Sequence, residues 1–308
     1  MSASDCTFHD SYWYCYANST AMLLSSIGEH ISPRLIEALT GVGLGASFNP
    51  PLPFFGQLQP PDRGLTQALD LLGFGFDEET NEHAAVAPLD RLTQGPVIVG
   101  PLDMSYLTYN PGRPRDPGVD HYVVILGAED GLYRLHDPAG FAHVRIGGPD
   151  LAAAWRAEAI DYKRGFYRSW RNPRRQRAPS ADAIYAAAIH TFQNLYREAD
   201  QRATRHGEHI GEAALLALAS AVETGSLTPR QRGHLIFFGL PLGAKRALDY
   251  VAFFKQRAPA LAEVKQRQAE VFGACQTALT GGKATEAAAR MTELAALESV
   301  IKEAILHA

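Results

Sequence analysis

The composition of the chain changes near residue 180, and this change constrains the fold more than any single motif. All three tryptophans and 16 of the 19 prolines lie before that point, and proline interrupts long helices. The rest of the chain is rich in Ala, Leu, Glu, Lys and Arg, which favour helix. We therefore predict a mixed α+β domain over residues 1–172 and an all-α helical domain over 178–308, joined by a basic, proline-broken linker.

Charge and cysteine content exclude several classes of protein. The 308 residues carry a net charge of -4, so bulk attraction to nucleic acid or to an anionic membrane is not expected. No apolar run reaches the roughly 20 residues of a membrane helix, and Met1–Cys6 lacks the features of a secretory signal. Three cysteines give neither a disulfide framework nor zinc-site spacing. We expect a cytoplasmic protein with free thiols and no metal.

Periodicity and end signals predict the main elements of both domains. The first domain is expected to contain a helix over 15–27, a second helix begun by Ser32 and Pro33, and a short helix before Gly73. Apolar runs predict strands at 96–99, 121–126, 132–136 and 162–170. Helices are expected in the second domain after Ser180 and over 211–223, 228–238, 243–256, 259–279 and 285–307.

A predicted β-hairpin brings a histidine next to a carboxylate. If residues 128–130 form its loop and Gly127 faces Gly131, then His121 lies directly opposite Asp137 on one face of the sheet. A carboxylate at that position accepts a hydrogen bond from one imidazole nitrogen and leaves the other as a base. The alternative is a packed histidine and a turn aspartate.

Cys15 is the cysteine best placed to act as a nucleophile. It lies at the predicted start of the first helix, where the helix dipole stabilises a thiolate, and His121 would be its partner. The alternative is a buried structural cysteine. Cys6 competes for the role but precedes no helix signal, and Cys275 is expected in the core of the helical domain.

A basic run over 163–177 stands out in an otherwise acidic chain. It is either a solvated linker or a docking surface for an acidic partner, whose encounter it would steer. The docking residues would then be Arg171, Arg174 and Arg175.

Several motifs occur together in the order found in one enzyme family. They are Cys15, Gly28, His30-Ile-Ser-Pro, the segment 39–48, Pro96-Val-Ile-Val99, the segment 103–107, His121-Tyr-Val-Val-Ile-Leu-Gly127 and His136-Asp-Pro138. Over residues 5–170 the chain resembles the butirosin biosynthesis protein H (BtrH-like) family.

This resemblance implies a papain-like cysteine peptidase fold, in which an N-terminal helix packs on an antiparallel sheet and a helical domain follows. It also implies an acyltransferase that moves an aminoacyl group from the phosphopantetheine thioester of an acyl carrier protein to an amine. By position, Cys15 is the nucleophile, His121 the base and Asp137 the orienting carboxylate.

The chain departs from the family pattern around these residues. Tyr14 replaces a small or polar residue before the nucleophile, Asp120 replaces a glycine before the histidine, and His9 replaces the usual oxyanion-donating glutamine. We predict oxyanion or substrate contacts for His9, Tyr14, Tyr16 and Asn18.

The sequence therefore predicts an amide-forming, cysteine-dependent acyltransferase of natural-product biosynthesis. The chain itself binds no cofactor, and the phosphopantetheine arrives on the carrier protein. The other partners are a small-molecule amine and, in the case of a homodimer, a second copy of the chain. Two alternatives remain open: a cysteine peptidase or amidase with the same three residues, and a non-catalytic binding module on the same fold.

Overall fold

The structure is a computed structural model that describes residues 6–10, 13–49, 52–56 and 58–308. The chain divides into two compact units. The mixed unit comprises Met1–Ile36 and Leu65–Pro179, and the helical unit comprises Glu37–Gly64 and Ser180–Ala308. The division after Pro179 falls close to the expected one, whereas the segment 37–64 groups with the helical unit and not with the N-terminal residues around it.

Helices and strands are mixed as far as Arg175, and only helices follow it. In chain order the elements are α1 (Cys15–Ser25), α2 (Pro33–Thr40), β1 (Ser47–Asn49), β2 (Leu52–Phe54), α3 (Pro61–Leu71), β3 (Phe74–Asn81), β4 (Gln94–Asp103), β5 (Asp120–Glu129), β6 (Leu132–Asp137), β7 (Phe141–Gly147), α4 (Gly148–Arg156), β8 (Phe166–Arg175), α5 (Ala181–His206), α6 (Glu212–Glu223), α7 (Pro229–His234), α8 (Leu240–Phe254), α9 (Pro259–Thr280) and α10 (Ala284–Leu306).

The predicted mixed α+β class with a helical C-terminal region is confirmed. Six strands form an antiparallel sheet in the order β3-β8-β4-β5-β6-β7, and β1 pairs with β2 separately. The apolar strand β5 is buried from His121 to Gly127. Its Val123 and Ile125 belong to a core cluster that also includes Trp155 of α4. Helix α1 contacts the same strand, since the Ser19 hydroxyl donates to the Tyr122 carbonyl at 3.2 Å.

The prediction of a linker from Arg171 onward was wrong, because β8 continues to Arg175. Its partner is β3, an edge strand that the sequence analysis did not predict. In the register of this pair, Asp77 faces Arg171 and Gly75 faces Arg174. Opposite charges on neighbouring strands stabilise such pairing, so the basic run forms a strand next to an acidic one.

The helical unit follows the predicted boundaries closely. The Ser180 hydroxyl caps α5 by accepting from the Ala183 N–H at 3.2 Å, as its position before the helix indicates. The helix predicted over 228–238 consists of α7 and a π-helical turn, Leu235–Gly239, that leads directly into α8.

A buried ion pair ties the segment 37–64 to the rest of the helical unit. The Arg246 guanidinium on α8 donates to the Glu37 carboxylate and to the Phe55 carbonyl, each at 2.8 Å. No helix in the described part of the chain is both long and apolar enough to cross a lipid bilayer.

Candidate active site

Three side chains predicted to meet do meet in the mixed unit. Cys15 is the first residue of α1, and its thiol shares a hydrogen bond with the His121 imidazole at the start of β5. The other ring nitrogen, Nε2, lies 2.6 Å from Asp137 Oδ1. His121 and Asp137 are 5% and 0% exposed, whereas Cys15 is only partly buried. The order thiol, imidazole, carboxylate is that of a nucleophile, its base and an orienting group.

The hairpin that joins His121 to Asp137 differs from the predicted one. Glu129 faces Leu132, so the turn contains only Asp130 and Gly131, both with positive φ. A register shift between Ile125 and Gly127 marks a bulge, and Val124 then faces His136.

Continued by one residue, this register places Asp137 opposite Val123, so the predicted direct opposition to His121 was wrong. His121 lies two positions further along the same strand and therefore on the same face of the sheet. A diagonal pair of this kind is still within reach of long side chains. The two residues therefore meet at hydrogen-bonding distance despite the different register.

The Asp137 carboxylate is fully buried, and each of its oxygens accepts at least one hydrogen bond. Oδ1 accepts from His121 and from the Ala139 N–H at 2.7 Å, and Oδ2 accepts from the Tyr109 hydroxyl at 2.8 Å. Burial alone would raise the pKa of Asp137, but the His121 charge and these hydrogen bonds hold it below its ordinary value. The carboxylate is therefore ionised and fixed in one orientation.

The turn before the nucleophile is strained. Tyr14 has φ 59° and ψ 51°, a left-handed conformation that costs a non-glycine residue about 1–2 kcal/mol. The Asn18 side-chain amide stabilises the turn by donating to the carbonyls of Trp13 and Tyr14, at 2.6 and 3.1 Å. This turn places Cys15 at the first position of α1, the end of the helix that favours negative charge.

Burial has the largest effect on the pKa of the Cys15 thiol. Burial raises the pKa of Cys15 above its ordinary value, the hydrogen bond and charge of His121 lower it in part, and the nearby Asp120 carboxylate adds to the rise. Burial would lower the pKa of His121, but Asp137 raises it well above its ordinary value. The two groups are therefore coupled: a positive charge on His121 stabilises the Cys15 thiolate, and the thiolate in turn favours the protonated ring.

The predicted substrate contacts occupy different surroundings. Tyr14 and Tyr16 are each 5% exposed, and the Tyr16 ring packs edge-on against Tyr122 at 6.0 Å. The Asn18 amide supports the backbone of the turn. Burial and the charge of His30 lower the pKa of His9, and the charge of Asp10 raises it in part. The role of His9 as an oxyanion donor remains a prediction.

The two other cysteines lie in protein cores. Cys6 donates to the Met22 carbonyl at 3.3 Å, and burial raises its pKa to about 12. Cys275 belongs to the core of the helical unit, as predicted, and burial raises its pKa to about 12 as well. Neither thiol has the imidazole partner that Cys15 has among the described residues.

The predicted docking arginines are already paired with carboxylates. Each lies within ion-pairing distance of an acidic residue of the mixed unit, so the run is not an uncompensated positive surface. The pairs are Arg171 with Glu79 at 3.5 Å, Arg174 with Asp77 at 2.9 Å and Arg175 with Glu29 at 2.5 Å. A docking role for these arginines remains a prediction.

Sequence reasoning missed the tyrosine that contacts Asp137. Tyr109 lies in the loop between β4 and β5, 28 residues before its partner, and no spacing rule links the two positions. It also missed a second tyrosine–aspartate pair, in which the Tyr162 hydroxyl donates to Asp120 Oδ2 at 2.6 Å. Within the described ranges, no three His, Cys, Asp or Glu side chains converge as a metal site.

Comparison with known proteins relates the chain to one group. Residues 204–306, within the helical unit, match the YobF C-terminal domain family. The chain is also 38% identical over 272 residues to a protein of Bacillus subtilis (strain 168) described as "Uncharacterized protein YobF", and the match covers 86% of each chain.

Proposed function

The chain belongs to the YobF family, and we propose that it is a cysteine-dependent, amide-forming acyltransferase with a papain-like mixed unit that acts in the cytoplasm. The observation that carries the proposal is the hydrogen-bonded series from Cys15 through His121 to Asp137. A thiol in such a series is equipped for nucleophilic attack on an acyl group.

The reaction would proceed through an acyl-enzyme. The Cys15 sulfur attacks the carbonyl carbon of a carrier-bound thioester, the bond to the pantetheine sulfur breaks, and His121 returns a proton to the leaving thiol. A substrate amine then attacks the new thioester and passes a proton to His121. The bond from carbon to Cys15 breaks, and an amide and the free thiol result.

Each residue of the series has a distinct role in this scheme. His121 moves the proton, and Asp137 fixes the ring so that one nitrogen faces the thiol. The Cys15 backbone N–H, with His9 as a predicted second donor, would stabilise the tetrahedral oxyanion. Exchange of one thioester for another is nearly balanced in energy, so amide formation would drive the transfer forward.

The choice of donor and acceptor rests on the resemblance of residues 5–170 to the BtrH-like family. That resemblance supports an acyl or aminoacyl group on an acyl carrier protein as donor, and an amine as acceptor. The chain would need no cofactor of its own, since the carrier supplies the phosphopantetheine.

Acyl loading of the full chain tests this proposal. The protein is mixed with acetyl- and aminoacyl-pantetheine thioesters and examined by intact-mass spectrometry. We expect one added acyl group on the wild-type chain and on Cys6→Ala, and none on Cys15→Ala. Equal loading of Cys15→Ala would contradict the assignment of the nucleophile, and a wild-type chain that never loads would favour a binding module.

A further inference from the structure

We infer that Tyr109 is a positioning residue of the active site, acting on the Cys15–His121 pair through Asp137. This inference rests on the proposed function for its catalytic meaning. It extends the three-residue series by a fourth member that enters from the loop before β5.

The first argument is the hydrogen-bond accounting at Asp137. A buried carboxylate needs donors for both oxygens, and Oδ1 is occupied by His121 and the Ala139 N–H. For Oδ2 the structure provides the Tyr109 hydroxyl, at 2.8 Å. Without that hydroxyl, the carboxylate would lose the donor that fixes its second oxygen and hence its rotation about the Cβ–Cγ bond.

The second argument is that Tyr109 is itself held in place. Its ring packs edge-on against Phe141 at 5.8 Å and against the apolar core cluster of the mixed unit. The preceding residue, Thr108, donates to Asp150 on α4 at 2.9 Å. In the following turn, the Asn110 side chain accepts from the Gly112 N–H at 2.8 Å. A hydroxyl anchored on both sides can orient its partner.

The third argument is electrostatic. A hydroxyl that donates to a carboxylate points the positive end of its dipole at that carboxylate, and so weakens the field that the carboxylate exerts on a neighbouring imidazolium. Tyr109 thereby moderates how strongly Asp137 holds the proton on His121. His121 must both accept and release a proton during the reaction. The strength with which Asp137 holds that proton therefore affects how readily His121 does both.

The test compares Tyr109→Phe with Tyr133→Phe in the full chain. Tyr133 belongs to the same core cluster and donates to the Leu89 carbonyl at 3.1 Å, so each variant loses one buried hydroxyl but only one loses a contact to the site. The readouts are the NMR titration midpoint of the His121 ring and the rate at which iodoacetamide alkylates Cys15 at each pH. Neither readout requires an acyl donor.

We expect Tyr109→Phe to move the His121 midpoint upward and to slow acyl loading by about 10-fold, with no change in Tyr133→Phe. Replacement of Tyr109 by p-aminophenylalanine, whose amino group still donates, should restore the wild-type midpoint. This replacement also serves if the phenylalanine variant folds poorly.

An unchanged midpoint in Tyr109→Phe, or an equal shift in Tyr133→Phe, would overturn the inference. If the midpoint moves while no chain ever loads acyl groups, the coupling of Tyr109 to His121 stands and the proposed function fails. The two failures are therefore distinguishable.

Discussion

At the residue scale, the Cys15 thiol lies between groups of opposite charge. His121 lowers the pKa of the thiol, whereas burial and the Asp120 carboxylate raise it. Asp120 accepts a hydrogen bond from Tyr162 but forms no ion pair with a described residue. A negative charge beside a nucleophilic thiol opposes thiolate formation, so Asp120 lowers the fraction of Cys15 that is present as the reactive thiolate.

Asp120→Asn should therefore lower the pKa of Cys15, and His121→Gln should raise it. The pH dependence of iodoacetamide alkylation, with the modified peptide identified by mass spectrometry, measures both. Cys6 and Cys275 should stay silent, because burial raises their pKa values to about 12. Asp116→Asn, which changes an exposed carboxylate of the β4–β5 loop, is the control, and a shift there equal to that of Asp120→Asn would refute the local effect.

At the element scale, local signals predicted more than long-range ones. Helix α2 follows directly from Ser32 and Pro33, because capping preferences act within one turn. The His121–Asp137 contact was predicted from an incorrect register, and it survived because a shift of two positions along a strand preserves the face.

Contacts without a local signal escaped prediction. Strand β3 pairs with β8 across more than 80 residues, and its acidic segment Asp77–Glu79 indicates a partner only once the basic strand is known. The Tyr109 contact to Asp137 likewise depends on how the β4–β5 loop folds, which neither periodicity nor composition determines.

Strand β6 carries a second histidine whose burial should affect stability. The His136 ring is 1% exposed and packs against Phe8 at 5.1 Å, and its Nδ1 accepts from the His143 N–H at 3.2 Å. Burial, with a smaller contribution from His143, lowers the pKa of His136 from 6.5 to about 4. Since the folded-state pKa is the lower one, the unfolded chain binds the proton first as the pH falls.

The free energy of unfolding should therefore fall as the pH drops from 6.5 towards 4, with up to about 3 kcal/mol due to His136. Urea unfolding followed by tryptophan fluorescence at pH 7.5 and 5 measures this, because all three tryptophans lie in the mixed unit. His136→Gln should flatten the dependence, whereas His190→Gln, an exposed histidine of α5, should not. An equal pH dependence in wild type and His136→Gln would contradict the assignment.

At the scale of the whole molecule, the candidate chemistry and the matched family domain lie in different units. The hydrogen-bonded series from Cys15 to Asp137 and the contacting Tyr109 all belong to the mixed unit. The match to the YobF C-terminal domain covers residues 204–306 of the helical unit. The helical unit has its own buried polar network, in which Tyr196 donates to Glu298 at 2.9 Å. Cys15, His121 and Asp137, the three residues assigned to acyl transfer, all lie outside this unit.

The central claim is that the acyl group passes from Cys15 to an amine and not to water. Full-length acyl-enzyme, freed of donor, is mixed with buffer alone or with a panel of primary amines, and the mass of the chain is followed over time. We predict rapid loss of the acyl mass with at least one amine, together with the corresponding amide product, and slow loss in buffer. Equally rapid loss in buffer and in every amine, with only free acid released, would contradict the account and identify a hydrolase.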